Sequence, residues 1–200
     1  MKKPVVSCYI CFTLLICFAA VLAPAQQQGR TFRWSMALLN AKNGESVPFG
    51  EPVQSQTGEQ FRLIINTAAR SFLYVIAESA NEEDVIVLYS GPMKNGETWN
   101  SGILVLTPPA GSESLFVITS LNEQRNLVQR IEAMNNNYGP SQKRAVINEI
   151  FRIRGEVSRF REAPEKPVLM GGASRGNPAR NEGIEFSGLG TYVKTISIEH

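Results

Sequence analysis

The chain has 200 residues, room for one compact domain plus additions, with 20 basic residues, 18 acidic residues, three cysteines and one histidine. Lys2 and Lys3 lie in the leader, so residues 26–200 carry 18 charges of each sign and no net field that would select nucleic acid or anionic lipid. Cys8, Cys11 and Cys17 all precede residue 26, which excludes disulfides, thiolate nucleophiles and cysteine-ligated metals from the remainder; roughly 175 residues bury a sufficient core without them.

Lys2-Lys3, an apolar run over 5–22 and Ala23-Pro24-Ala25 follow the order of a secretory signal, with cleavage expected after Ala25. The run also approaches the length that spans a bilayer, so a retained anchor is the competing reading. Lipidation would need Cys17, which Ile16 precedes where a small residue belongs. The expected location is beyond the inner membrane, in the periplasm or outside the cell.

Residues 26–30 read as an exposed leader. Phe32, Trp34, Met36 and Leu38 recur at period two and predict a strand over 31–39. Residues 40–52 are rich in Gly, Asn, Ser and Pro and read as loop, with a short extended piece near 47–49. Phe61, Leu63 and Ile65 alternate with polar residues, as in a half-buried strand. Residues 71–78 are apolar on both faces, as in a central strand, and 81–84 form a polar turn. Residues 85–89 are rich in β-branched side chains. A long polar loop is expected over 90–100, then strands over 103–107 and 115–120, with Pro108-Pro109 and Gly111 between them.

The period then changes. Leu127, Val128, Ile131 and Met134 share one helical face, ended by Asn135-Asn136-Asn137 and Gly139-Pro140. Ser141 is the expected cap of a second helix, whose stripe is Val146, Ile150, Ile153, Val157 and Phe160, widened by Ile147 and Phe151. Residues 163–183 read as an exposed, mobile loop. Residues 190–199 alternate as a last strand that returns to a sheet edge. The expected fold is mainly β, a sandwich-like antiparallel domain with two C-terminal helices and a returning C-terminal strand. The divisions are a signal over 1–25, β domain over 26–121, helical pair over 122–162, loop over 163–184 and terminal strand over 185–200.

Three segments carry a family likeness: Phe72-Leu73-Tyr74-Val75-Ile76, Val85-Ile86-Val87-Leu88-Tyr89, and the stretch from Pro108-Pro109-Ala110-Gly111 through Glu113 and Leu115 to Ser120. Over about 59–121 the chain resembles the bacterial family known as domain of unknown function 4384. It departs where Ser90-Gly91-Pro92 follows Leu88-Tyr89, since that family often has Pro directly after the pair. The resemblance implies an all-β accessory domain, often beside peptidase or kinase domains in larger exported or signalling proteins. It implies no activity and no functional residues.

Catalytic patterns are sparse. Gly172-Ala173-Ser174-Arg175-Gly176 fits the nucleophile elbow of α/β-hydrolases, but Asn177-Pro178 starts a helix poorly and the only histidine, His200, is the last residue. A flexible Gly-Ser loop is the plainer account, and a serine hydrolase using Ser174 the alternative. Ser141 and Lys143 are too close along a helix to face each other. Glu78, Glu82, Glu83, Asp84 and Glu113 are the carboxylate candidates for glycoside chemistry; Glu82 to Asp84 read as a solvated turn and lack calcium-loop spacing. Glu113 is expected to accept backbone N–H bonds from the Pro-Pro-x-Gly turn, with ligand binding as the alternative. Trp99, beside Asn100 in a polar loop, is a candidate partner anchor, or else tucks over a sheet edge.

The second helix carries Lys143, Arg144, Arg152, Arg154, Arg159 and Arg161, diluted by Glu149, Glu156 and Glu162. Packing on the sheet is favoured over a membrane surface. The expectation is a non-catalytic binding module whose partner is an envelope protein or surface polymer. Trp99, Asn100 and Glu113 are its candidate contact residues. No cofactor, metal or nucleic acid is expected.

Overall fold

The computed structural model describes residues 31–81, 84–157, 166–169 and 182–200. In chain order the strands are β1 (Thr31–Asn40), β2 (Ser46–Val47), β3 (Val53–Gln54), β4 (Gln60–Thr67), β5 (Ser71–Glu78), β6 (Val85–Met93), β7 (Thr98–Asn100), β8 (Leu104–Val105) and β9 (Ser112–Ser120). The helices α1 (Arg125–Asn136) and α2 (Pro140–Val157) follow, then β10 (Lys166–Leu169), β11 (Glu182–Leu189) and β12 (Thr191–Glu199). The first sheet runs β10-β11-β1-β4-β7, with β2 on β1 and β8 on β4. The second runs β3-β12-β9-β5-β6, antiparallel except where β3 joins β12 in parallel.

Alternation sorts the apolar side chains between two cores. Trp34, Met36 and Leu38 of β1, Leu63 and Ile65 of β4, and Leu73, Val75, Leu115 and Val117 of the second sheet fill the space between the sheets. Trp34 stacks on Phe186 with ring centroids 4.4 Å apart, and Tyr192 meets both rings edge-on or tilted at 5.4 and 5.1 Å. The opposite face of the second sheet offers Tyr74, Ile76, Phe116 and Ile118 to Leu127, Ile131 and Met134 of α1 and Val146, Ile150 and Ile153 of α2. The molecule is thus a two-sheet sandwich with a helical third layer. Strands apolar on both faces, β5 and β9, are those covered on both sides.

Local chemistry fixes the helix ends. Gln124 caps α1 without a side-chain bond; its own backbone N–H donates to the Tyr74 hydroxyl at 2.9 Å, tying the helix start to β5. Pro140, not Ser141, opens α2, and the Gly139 carbonyl accepts from Gln142 and Lys143. Proline suits this place because its missing N–H is one the first turn leaves unpaired anyway.

Several sequence expectations need correction. The loop expected over 90–100 is largely strand: β6 continues to Met93 and β7 holds 98–100. β6 tolerates Pro92 because it is the outer strand of its sheet and pairs only with β5 on its inner side. The strand expected over 103–107 shrinks to Leu104–Val105. The loop expected over 163–183 contains β10, which pairs with β11, and the start of β11 itself. Residues 185–200 hold two strands in different sheets: β11 lies on β1, the chain turns at Gly190 with φ +82°, and β12 lies on β9. β12 is not simply an edge, since β3 pairs with its far side at Ile198 and Glu199. The leader, Phe160 and Ser174 lie outside the described residues.

Candidate functional site

A cleft of about 760 Å³ lies where the N-terminal half of α2 meets the end of the second sheet. Its lining mixes Val85, Ile147 and Phe151 with Glu78, Asn81, Lys143 and Arg144. The helix packs its stripe inward, so residues flanking the stripe form the cleft wall. Phe151 shows this: its ring touches Phe116 edge-on at 6.0 Å, yet the residue is 50% exposed. The mouth is braced by a polar cluster. Lys143 Nζ lies 3.0 Å from Asp84 Oδ1 and 4.1 Å above the Tyr138 ring, and Tyr138 donates to the Val85 carbonyl at 3.0 Å. These contacts pin the α1–α2 turn to the start of β6.

A second constellation closes one end of the sandwich. Leu115 and Val117 point between the sheets, and Glu113 shares their parity. Ile196 and Ile198 do the same on β12, and His200 shares theirs. The Gly111 and His200 backbones exchange both hydrogen bonds, at 2.8 and 3.0 Å. The imidazole is fully sealed from solvent, although the residue's backbone end is partly exposed. Nε2 lies 3.3 Å from Glu113 Oε1 but off the line of a hydrogen bond, so that contact is electrostatic. Nδ1 lies 3.0 Å from the hydroxyl of Thr57, an exposed residue in the loop from β3 to β4.

The residues singled out from the sequence fall in three places. Trp99 is half-buried on β7, opposite Ile65, with its ring 5.6 Å from Tyr89. It packs against the edge of the inter-sheet core. Asn100 is exposed and accepts the Gly102 N–H at 2.9 Å, which closes a turn. Glu113 faces His200, where the sequence suggested backbone donors from the preceding turn. Trp99 and Glu113 are therefore not parts of one site. Glu82, Glu83, Arg159 and Arg161 lie outside the described residues, while Asp84 pairs with Lys143.

No family model, curated protein or solved structure matches the chain. Its chemistry has to be read from its own side chains. Among the described residues, no group of three His, Cys, Asp or Glu side chains is placed to hold a metal ion. None of the described helices is long and apolar enough to cross a membrane. On α2 the Arg152 guanidinium binds Glu149 at 2.6 Å and Glu156 at 2.5 Å. The Glu149 hydrogen bond, chiefly, holds it above even the ordinary arginine range. Burial, and then the Glu97 charge, raises the Tyr89 hydroxyl above its usual range.

Sequence reasoning missed the cleft and Thr57. The cleft is a product of helix-on-sheet packing, which no local pattern encodes. The alternation Ile196, Ile198, His200 was the available signal for the buried imidazole; Thr57 had none.

Proposed function

We propose that this chain is an exported binding module of a bacterial envelope that docks another envelope protein or a surface polymer through the α2 cleft, without turning it over. The observation that carries this reading is the half-exposed Phe151 sharing one cleft with Arg144. Aromatic and arginine side chains are the types enriched where interfaces concentrate their energy. The cleft also falls within the roughly 300–1,000 Å³ range of binding pockets. Export is supported by the leader pattern, and the accessory role by the resemblance to the bacterial family.

Glu149 and Glu156 together outweigh the Arg152 charge they pair with on α2, which weakens a membrane-surface role that would need free basic charge. The reading is tested by crosslinking in intact cells, affinity capture and mass spectrometry. One stoichiometric envelope partner is expected with the wild type and with Trp99→Ala, and its loss with Phe151→Ala. Recovery that is the same for wild type and Phe151→Ala removes the cleft from the account. Loss with Trp99→Ala alone would move the docking face to β7.

A further inference from the structure

A hydroxyl and a carboxylate flank the two nitrogens of one imidazole at the end of the sandwich. We propose that Thr57 is a covalent acyl-acceptor site, its hydroxyl activated by His200 and the imidazole positioned by Glu113. The proposal does not depend on the α2 cleft.

The geometry supplies a nucleophile within hydrogen-bond reach of a base, and beside that base a carboxylate that acts on it through charge and not through a hydrogen bond. Thr57 Oγ1 is 3.0 Å from His200 Nδ1, within reach for proton transfer. The other nitrogen faces Glu113 at 3.3 Å. A carboxylate there favours the tautomer with the proton on Nε2, which leaves Nδ1 free to accept from the hydroxyl. Either ring nitrogen can serve as base when its partner nitrogen holds the proton. The division of exposure fits this role. Thr57 is open to solvent, whereas the imidazole behind it is sealed, so a substrate meets the hydroxyl and not the base. The main chain that carries the ring is fixed, because the His200 backbone is bonded in both directions to Gly111. Beside Thr57 lies a shallow depression of about 410 Å³ lined by Gln54, Ser55, Gly111, Ser112, Glu199 and His200 itself.

The donor is an activated ester. Thr57 Oγ1 attacks its carbonyl carbon, and the hydroxyl proton moves to Nδ1. The carbon–oxygen bond to the leaving group breaks, the alkoxide or phenoxide departs into solvent and is protonated by water, and the imidazole gives its proton up to water in turn. The products are an ester on Thr57 and a free alcohol, with no change of oxidation state.

The test uses the mature chain without a histidine tag, incubated with p-nitrophenyl acetate, quenched in acid and peptide-mapped by mass spectrometry. An acetyl group on Thr57 is expected, retained as a serine ester in Thr57→Ser and absent from that peptide in Thr57→Val. Glu113→Gln is expected to slow labelling of Thr57 by about tenfold or more, a low share of what positioned acid–base groups contribute. Because Thr57 is exposed, Thr57→Val tests the chemistry without disturbing the core. Acetyl groups confined to lysines and the N-terminus, with Thr57 unmodified in the wild type, would overturn the proposal. Labelling of Thr57 at an unchanged rate in Glu113→Gln would remove the positioning role.

Discussion

A Cβ built on Gly111 would lie 2.8 Å from the Ala80 Cβ, closer than two carbons approach without repulsion. Gly111→Ala is therefore expected to destabilise the fold by about 1–3 kcal/mol, the usual range for overpacking. Adding Ala80→Gly should recover most of that loss, which urea titration of the four proteins in the cycle would measure; simple additivity would mean the clash is not the cause. Trp34 is 2% exposed and stacked on Phe186, so Trp34→Ala should remove about 3–5 kcal/mol by the same assay. Burial, opposed by the Gln124 N–H, raises the Tyr74 hydroxyl above its ordinary value. A raised folded-state value means the native chain binds more protons than the unfolded one. Stability is then fully present below about pH 10, the unfolded value, and falls as pH rises through the folded value. Tyr74→Phe should flatten part of that alkaline loss in denaturation curves, with Tyr89 supplying the rest, while leaving the Gln124 N–H without its acceptor. Residue-scale roles were unevenly legible. The period of 32, 34, 36 and 38 announced core positions correctly, because alternation is a local property. Glu113 and His200 were not paired, because their meeting depends on which strands become neighbours.

At the scale of elements, α2 shows which of its interactions hold it in place. Ile150 is fully buried against the sheet, whereas the partly exposed Arg152 pairs with the exposed Glu156 and the largely covered Glu149. Ile150→Ala is expected to lose about 2–5 kcal/mol, and Arg152→Ala less than about 1 kcal/mol, since exposed pairs contribute little. Comparable losses in thermal or urea unfolding would mean that the helix is held by charge more than by packing. Both helices were readable because a period near 3.6 is repeated over several turns. β7 and β3 were not, because two- and three-residue strands carry no period at all; β8 was read, but longer than it is. β6 was cut short in the reading because Gly91-Pro92 signals a turn, and only its outer position in the sheet makes proline harmless there. β10 was subsumed in the expected loop for a related reason: Pro167 and the Gly- and Asn-rich sequence that follows signal loop, and proline is harmless on the outermost strand of the first sheet.

The whole molecule depends on contacts between segments remote in sequence. β1 sits between β4 and β11, and β12 closes the second sheet against β9, so the last strands are integral to both layers. Fold class was legible, because a series of short strands followed by two amphipathic helices admits few packings. The crossing between sheets at Gly190 was not, since a single glycine marks a turn without saying which sheet lies beyond it. The same limit hid the cleft, which exists only once α2 has settled on the second sheet beside Val85. The most direct test of the docking role is site-specific photo-crosslinking in living cells, with the probe at Phe151 or, as a control, at the exposed Val105 of β8. One discrete adduct is expected from position 151 and none from 105. Equal adducts from both positions, or none from 151, would contradict that role.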